Sequence, residues 1–234
     1  MEKLQDKPTE KEATLLKAPM ERRMFMRYAG ATAAFTTLLF ATTSCDEDGD
    51  DMPTDPMAVD LGKGDTGILN YAYALEQLEA AFYAEVVAKS LGLFNQTEQQ
   101  IMQDIKGHEG IHRDFLKAAL GTSAIRDLEV NFSSINFNDK NSILSTARTF
   151  EDLGVAAYNG AGRLLENAGF LTLAGKIVSV EARHAAVIRD LISNGTFSDS
   201  ANNQGLDPAM MPADVLAAAA PFIKTKITAN NLPK

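Results

Sequence analysis

"HEGIH", residues 108–112, decides the fold once the rest of the chain is set beside it. Taken alone it is H-E-x-x-H, which on a helix turns two histidines to one face for Zn²⁺ and places a glutamate beside them to activate water. The same letters contain Glu109-x-x-His112. Residues three apart share a helix face, so this pair can reach a single ion. Helical bundles that hold two ions between carboxylates are assembled from such half-sites.

A second copy of the pattern favours the two-metal reading. "YALEQLEAAFY" (73–83) precedes "HEGIHRDFL" (108–116), and "RTFEDLGVAAY" (148–158) precedes "VEARHAAVI" (180–188). Glu76 and Tyr83 match Glu151 and Tyr158, and Glu109/His112 match Glu181/His184. Four carboxylates would balance two divalent ions, whereas without metal they would be penalised in a core and some would protonate. The i, i+7 spacing puts each tyrosine on the face of its own glutamate, where Tyr83 and Tyr158 could hydrogen-bond ligands, supply an electron or serve only as core aromatics.

The peptidase reading fares worse. His108 is matched by Val180, and no downstream Gly-x-x-His supplies a third zinc ligand. His108 is then an incidental neighbour or a group that supports a ligand. Glu79 shares the face of Glu76, but its counterpart is Gly154, so the repeat argues for Glu76 as the ligand; Glu79 could still be a further ligand or a base beside the ions. Glu85, Glu98, Glu129 and Glu166 have no counterparts and read as solvated.

The apolar period is helical throughout the body of the chain. Helices are expected over 66–91, stopping at Gly92, and from a Thr97-x-x-Gln100 capping box to Gly121. Two more are expected over 139–167 and over 171–193, the last stopping at Asn194-Gly195. "PADVLAAAAPFIKTKI" (212–227) reads as a fifth helix kinked or split by Pro221. Short links make two antiparallel hairpins. Residues 122–138 extend to roughly 55 Å, enough to run the length of a helix of about 30 Å. The expected fold is thus all-α: a four-helix bundle over 66–195 with one long crossover, and an extension over 196–234.

Ahead of the bundle the chain changes character. "RRMFMRYAGATAAFTTLLFATTSC" (22–45) is a basic-flanked apolar run followed by the acidic "DEDGDD". It reads as an export leader over residues 1–45. "ERRMFMR" resembles the twin-arginine export signal. "TTSC" resembles the end of a lipoprotein signal, with Thr42 where leucine is usual and Cys45 the acylated residue. Residues 46–65 read as a disordered acidic tether. Cys45 is the only cysteine, which excludes an intrachain disulfide and a cysteine-ligated metal. With a net charge of −9 and no tryptophan, a nucleic-acid partner is not expected.

At the "LEQLEAAFY" run and the two Glu-x-x-His pairs the chain resembles the ferritin-like superfamily, over about residues 66–195. It is most similar to bacterial ferritin-like domain proteins related to desiccation-related proteins. The resemblance implies that Glu76, Glu109 and His112 hold one ion and Glu151, Glu181 and His184 the other, with Glu109 and Glu181 bridging. It implies two Fe or Mn ions, in line with the hardness of the donors, and an oxidoreductase acting on Fe²⁺, O₂ or peroxide. The expected location is the periplasm or cell envelope, with lipid at Cys45 the only membrane attachment and homo-oligomerisation left open. A metal-poor structural or stress-protective bundle is the alternative, with the zinc peptidase more remote.

Overall fold

In the computed structural model, residues 57–234 are described. Expectations for the leader, for Cys45 and for tether residues 46–56 lie outside them. Four long helices dominate: α1 (Gly64–Lys89), α2 (Gln96–Leu120), α3 (Lys140–Gly162) and α4 (Ala168–Ile192). α1 packs chiefly on α2 and α3 on α4, as the short links require. The described chain is therefore the expected all-α bundle of two hairpins with one crossover.

The helix ends differ from the sequence reading, each for a local reason. α2 begins with Asn95, whose side chain accepts from the backbone of Glu98, while Glu98 accepts from the backbone of Asn95. This reciprocal box replaces the one expected at Thr97/Gln100 and stabilises the start by about 0.5–2 kcal/mol. Glu98 also takes Lys140 Nζ at 2.7 Å, so it is a paired group and not a solvated one. α3 stops at Gly162, short of 167, because Asn167 caps α4 by accepting from Gly169 and Phe170.

α1 is buried on nearly every side, which explains why polar residues on its outer face have firm partners. The crossover runs over that face. Asn70 donates to the carbonyls of Leu61 and Ser123 and accepts from the backbone of Ile125, so one buried amide ties three segments together. One turn or more along, Gln77 accepts from the backbone of Leu128 and Tyr73 donates to Asp127.

The C-terminal extension is only partly helical. α5 (Pro212–Ala219) gives way to a 3₁₀ turn at Ala220–Phe222, where Pro221 cannot continue the α ladder. The remainder of the segment read as a fifth helix becomes extended. Val130 and Ile223 form an antiparallel bridge, and β2 (Ile227–Thr228) pairs in parallel with β1 (Val59–Asp60). Val59 and Leu61, two residues apart on one strand face, are both buried. Residues 59–65 are therefore a built part of the domain, a correction to the tether expected through 65. Among the described residues, no helix is long and apolar enough to cross a membrane.

Candidate metal centre

Each long helix turns part of one face inward at mid-length. α1 brings Glu76, Glu79 and Tyr83, α2 brings Glu109 and His112, α3 brings Glu151 and Tyr158, and α4 brings Glu181 and His184. All five glutamates and both of these histidines are buried.

The contacts cross between hairpins. His112 Nδ1 lies 2.9 Å from Glu181 Oε1, 3.4 Å from Glu76 Oε2 and 3.7 Å from Glu109 Oε2. His184 Nδ1 lies 2.8 Å from Glu109 Oε1 and 3.4 Å from Glu151 Oε2. Glu76, Glu109, His112 and Glu181 form one group, and Glu109, Glu151, Glu181 and His184 form another, with donor atoms of each group within 4.8 Å of one another. Glu109 and Glu181 stand in both.

The tyrosines correct an expectation. Tyr83 donates to Glu151 Oε1 at 2.5 Å, and Tyr158 donates to Glu76 Oε1 at 2.5 Å, so each serves the glutamate of the other hairpin. Two turns of one helix span about 10 Å, too far for a tyrosine to reach its own glutamate. With α1 and α3 antiparallel, the same spacing read in reverse sets each tyrosine level with the opposite carboxylate.

Glu79 belongs to neither group. A Cβ added at Gly154 would lie 3.2 Å from Glu79 Oε1 and 3.3 Å from Glu181 Oε2. The missing side chain at Gly154 thus leaves a notch for the carboxylate of Glu79. His108 is also outside both groups, which leaves the H-E-x-x-H zinc arrangement unformed. Its Nδ1 lies 2.9 Å from Nε2 of His184, holding that imidazole with its other nitrogen toward Glu109. The sequence reading left this partnership open. The one available signal was that a third histidine stood a single residue from a Glu-x-x-His pair.

Burial sets the electrostatics. It pushes Glu76 and Glu151 up to about 7, partly offset by the imidazoles facing them. Glu79 and Glu181 are held well above the usual carboxylate range, by burial first and by the neighbouring carboxylates second. Burial opposes charge on Glu109 as well, but His112 and His184 both face it and bring it down to about 2. Against the same burial, the surrounding carboxylates push His112 up to about 12 and His184 up to about 10.

Proton sharing leaves the cluster incompletely satisfied. Eight nitrogen and oxygen atoms of the six residues in the two groups are buried with no aligned hydrogen-bond partner: Glu76 Oε2, both oxygens of Glu109 and of Glu181, Glu151 Oε2 and the Nδ1 atoms of His112 and His184. Native proteins leave only a few such atoms, so eight of them gathered around one volume suit cations as the missing partner. Carboxylate oxygens with two imidazole nitrogens are a donor set for a first-row divalent metal.

A helical bundle with one long crossover and a carboxylate–imidazole cluster at its centre defines a class of proteins built to receive metal ions between helices. Residues 64–194 match the ferritin-like domain family, and the chain belongs to that family. No match was found among curated proteins.

Proposed function

We propose that the bundle holds two Fe or Mn ions and acts on Fe²⁺, O₂ or peroxide as an oxidoreductase. The observation that carries this reading is the convergence, from four helices, of eight buried carboxylate and imidazole atoms that make no aligned hydrogen bond and face only one another. Glu76, Glu109, His112 and Glu181 would hold one ion, and Glu109, Glu151, Glu181 and His184 the other. Four carboxylates match the charge of two divalent ions, which removes the penalty that the metal-free cluster carries. The ions would supply reversible one-electron chemistry at a paired site.

The chain's own groups orient the donors. Tyr83 and Tyr158 each fix one oxygen of a terminal carboxylate and leave the second oxygen free. With Nδ1 on an ion, His184 would carry its proton on Nε2, which faces His108 Nδ1 at 2.9 Å and would donate to it. Val180 stands where a matching histidine would serve His112, so the two positions are not equivalent.

The leader reading places the protein at the cell envelope, exported and attached through lipid at Cys45, with self-association unassigned. An exported folded protein could be loaded with metal before it leaves the cytoplasm. Cys45→Ala should release the protein from the membrane fraction without changing its metal content.

The test of the central reading is elemental analysis of the full chain, purified without chelator. Close to two Fe or Mn per chain, lost in Glu109→Ala/Glu181→Ala, is the expected result. A folded protein with no metal in either form would overturn it in favour of a structural bundle. A single zinc lost with His108 would point instead to the peptidase.

A further inference from the structure

We propose that His108 makes the two metal positions unequal, so that the position built on His184 fills first and holds its ion more tightly than the position built on His112. The proposal rests on the two-ion reading above and assigns the order of filling within it. Most of the site cannot set such an order, because its two halves are alike. Each position offers three carboxylates and one imidazole, and Glu109 and Glu181 serve both. Each terminal carboxylate takes one tyrosine hydroxyl at 2.5 Å, Glu76 from Tyr158 and Glu151 from Tyr83.

Two departures from the repeat bring polar side chains against ligand residues. Glu79 stands opposite Gly154, where it and Glu181 face the same notch. Glu181 is shared, so this departure weights neither position. His108 stands where α4 has Val180, and its Nδ1 lies 2.9 Å from Nε2 of His184. The ring planes are 9° apart with centroids at 5.1 Å, so the two imidazoles meet edge to edge, as a straight N–H···N bond requires. The polar contacts of His112 run through Nδ1 to Glu76, Glu109 and Glu181. Val180 has no polar side-chain atom to offer its other nitrogen. The bond to His108 therefore fixes, for His184 alone, the tautomer that leaves Nδ1 free for an ion and the angle at which the ring presents it. Donation from the second nitrogen also raises the basicity of the first. Partners of this kind typically contribute roughly ten- to hundred-fold in metal affinity.

Calorimetric titration of the metal-free full chain with Mn²⁺ should show two steps, with dissociation constants roughly ten- to hundred-fold apart. Crystals grown with one equivalent should place the manganese, by its anomalous scattering, among Glu109, Glu151, Glu181 and His184. His108→Val copies the other half of the repeat and should bring the two constants together. His108→Gln keeps an acceptor for the Nε2–H of His184 and should keep the steps apart, a rescue that a merely structural role would not give. His108→Val/Val180→His should move the first manganese to Glu76, Glu109, His112 and Glu181. His108 is exposed, so its replacement leaves the core intact. First occupancy at His112, or a His108→Val chain whose steps stay as far apart as in the native protein, would overturn the proposal. Two ions bound with equal constants would overturn it alone and leave the two-ion reading standing. A chain that takes up no Mn²⁺ would overturn that reading and the proposal with it.

Discussion

The hydroxyl of Tyr83 on α1 donates to Glu151 on α3, and the symmetry-related pair runs back from Tyr158 to Glu76. These two bonds stitch the hairpins together at the level of the cluster. They also decide which oxygen of each terminal carboxylate is left for a cation. Tyr83→Phe removes the donor and strands a fully buried carboxylate oxygen, a loss of about 1–3 kcal/mol. Urea denaturation of the metal-free protein should show it, and Tyr158→Phe should behave alike. Unchanged stability in both would mean that the hydroxyls contribute nothing to the carboxylates' solvation.

Metal loading should release protons. Glu76 and Glu151, raised to about 7, are partly protonated near neutrality, both imidazoles, raised to about 12 and about 10, hold protons there, and burial holds Glu181 well above the usual carboxylate range. Ligands bind metal deprotonated, so these protons compete with the ions and affinity rises with pH. Titration with Mn²⁺ in two buffers of different ionisation enthalpy should give different apparent heats. Tighter binding at pH 8 than at pH 6 is the companion result. A heat independent of buffer would contradict the charge state described for the cluster.

Glu79 and Gly154 form a pair that separates ligand from neighbour. Glu79 lies in the notch at Gly154, outside both donor groups, so Glu79→Gln should keep close to two ions per chain. Glu181→Gln should lose at least one. Gly154→Ala brings a methyl to 3.2 Å from Glu79 Oε1 and 3.3 Å from Glu181 Oε2, closer than either oxygen tolerates without moving. Its metal affinity should fall, and Glu79→Ala in the same chain should restore part of it by opening room. Elemental analysis and calorimetry read both effects.

What the sequence made legible follows from periodicity. The repeated Glu-x-x-His pairs and the lone glutamates lie at fixed helical offsets, so their shared face could be read without coordinates. The pairing of Tyr83 with Glu151 could not, because it depends on the register between antiparallel helices and not on spacing within one. Gly154 read as a mere gap in the repeat; its role emerges only when Glu79 is seen filling the space. The extension misled for a different reason. Ile223 and Ile227 continue an apolar run that suits a helix, but their pairing with Val130 and Val59 is long-range and leaves no local signature.

One of the contacts that fasten the C-terminal extension lies against α3 at a glycine. Met210 donates its backbone N–H to the carbonyl of Ala156 at 2.9 Å, and Asn159 donates to the carbonyl of Pro208. Gly160 lies beneath this segment, and a Cβ there would sit 1.7 Å from the Met210 carbonyl oxygen. Backbone cannot yield as a flexible side chain would, so Gly160→Ala must displace residues 208–210. Limited proteolysis should then cut the exposed stretch 202–209 faster than in the native protein, and stability should fall by about 1–3 kcal/mol. α3 itself should remain helical, since alanine favours a helix over glycine. Gly175→Ala, at a helical position with open space around it, is the control and should be neutral or mildly stabilising. Equal cleavage of the two variants would show that the extension does not depend on its contact with α3.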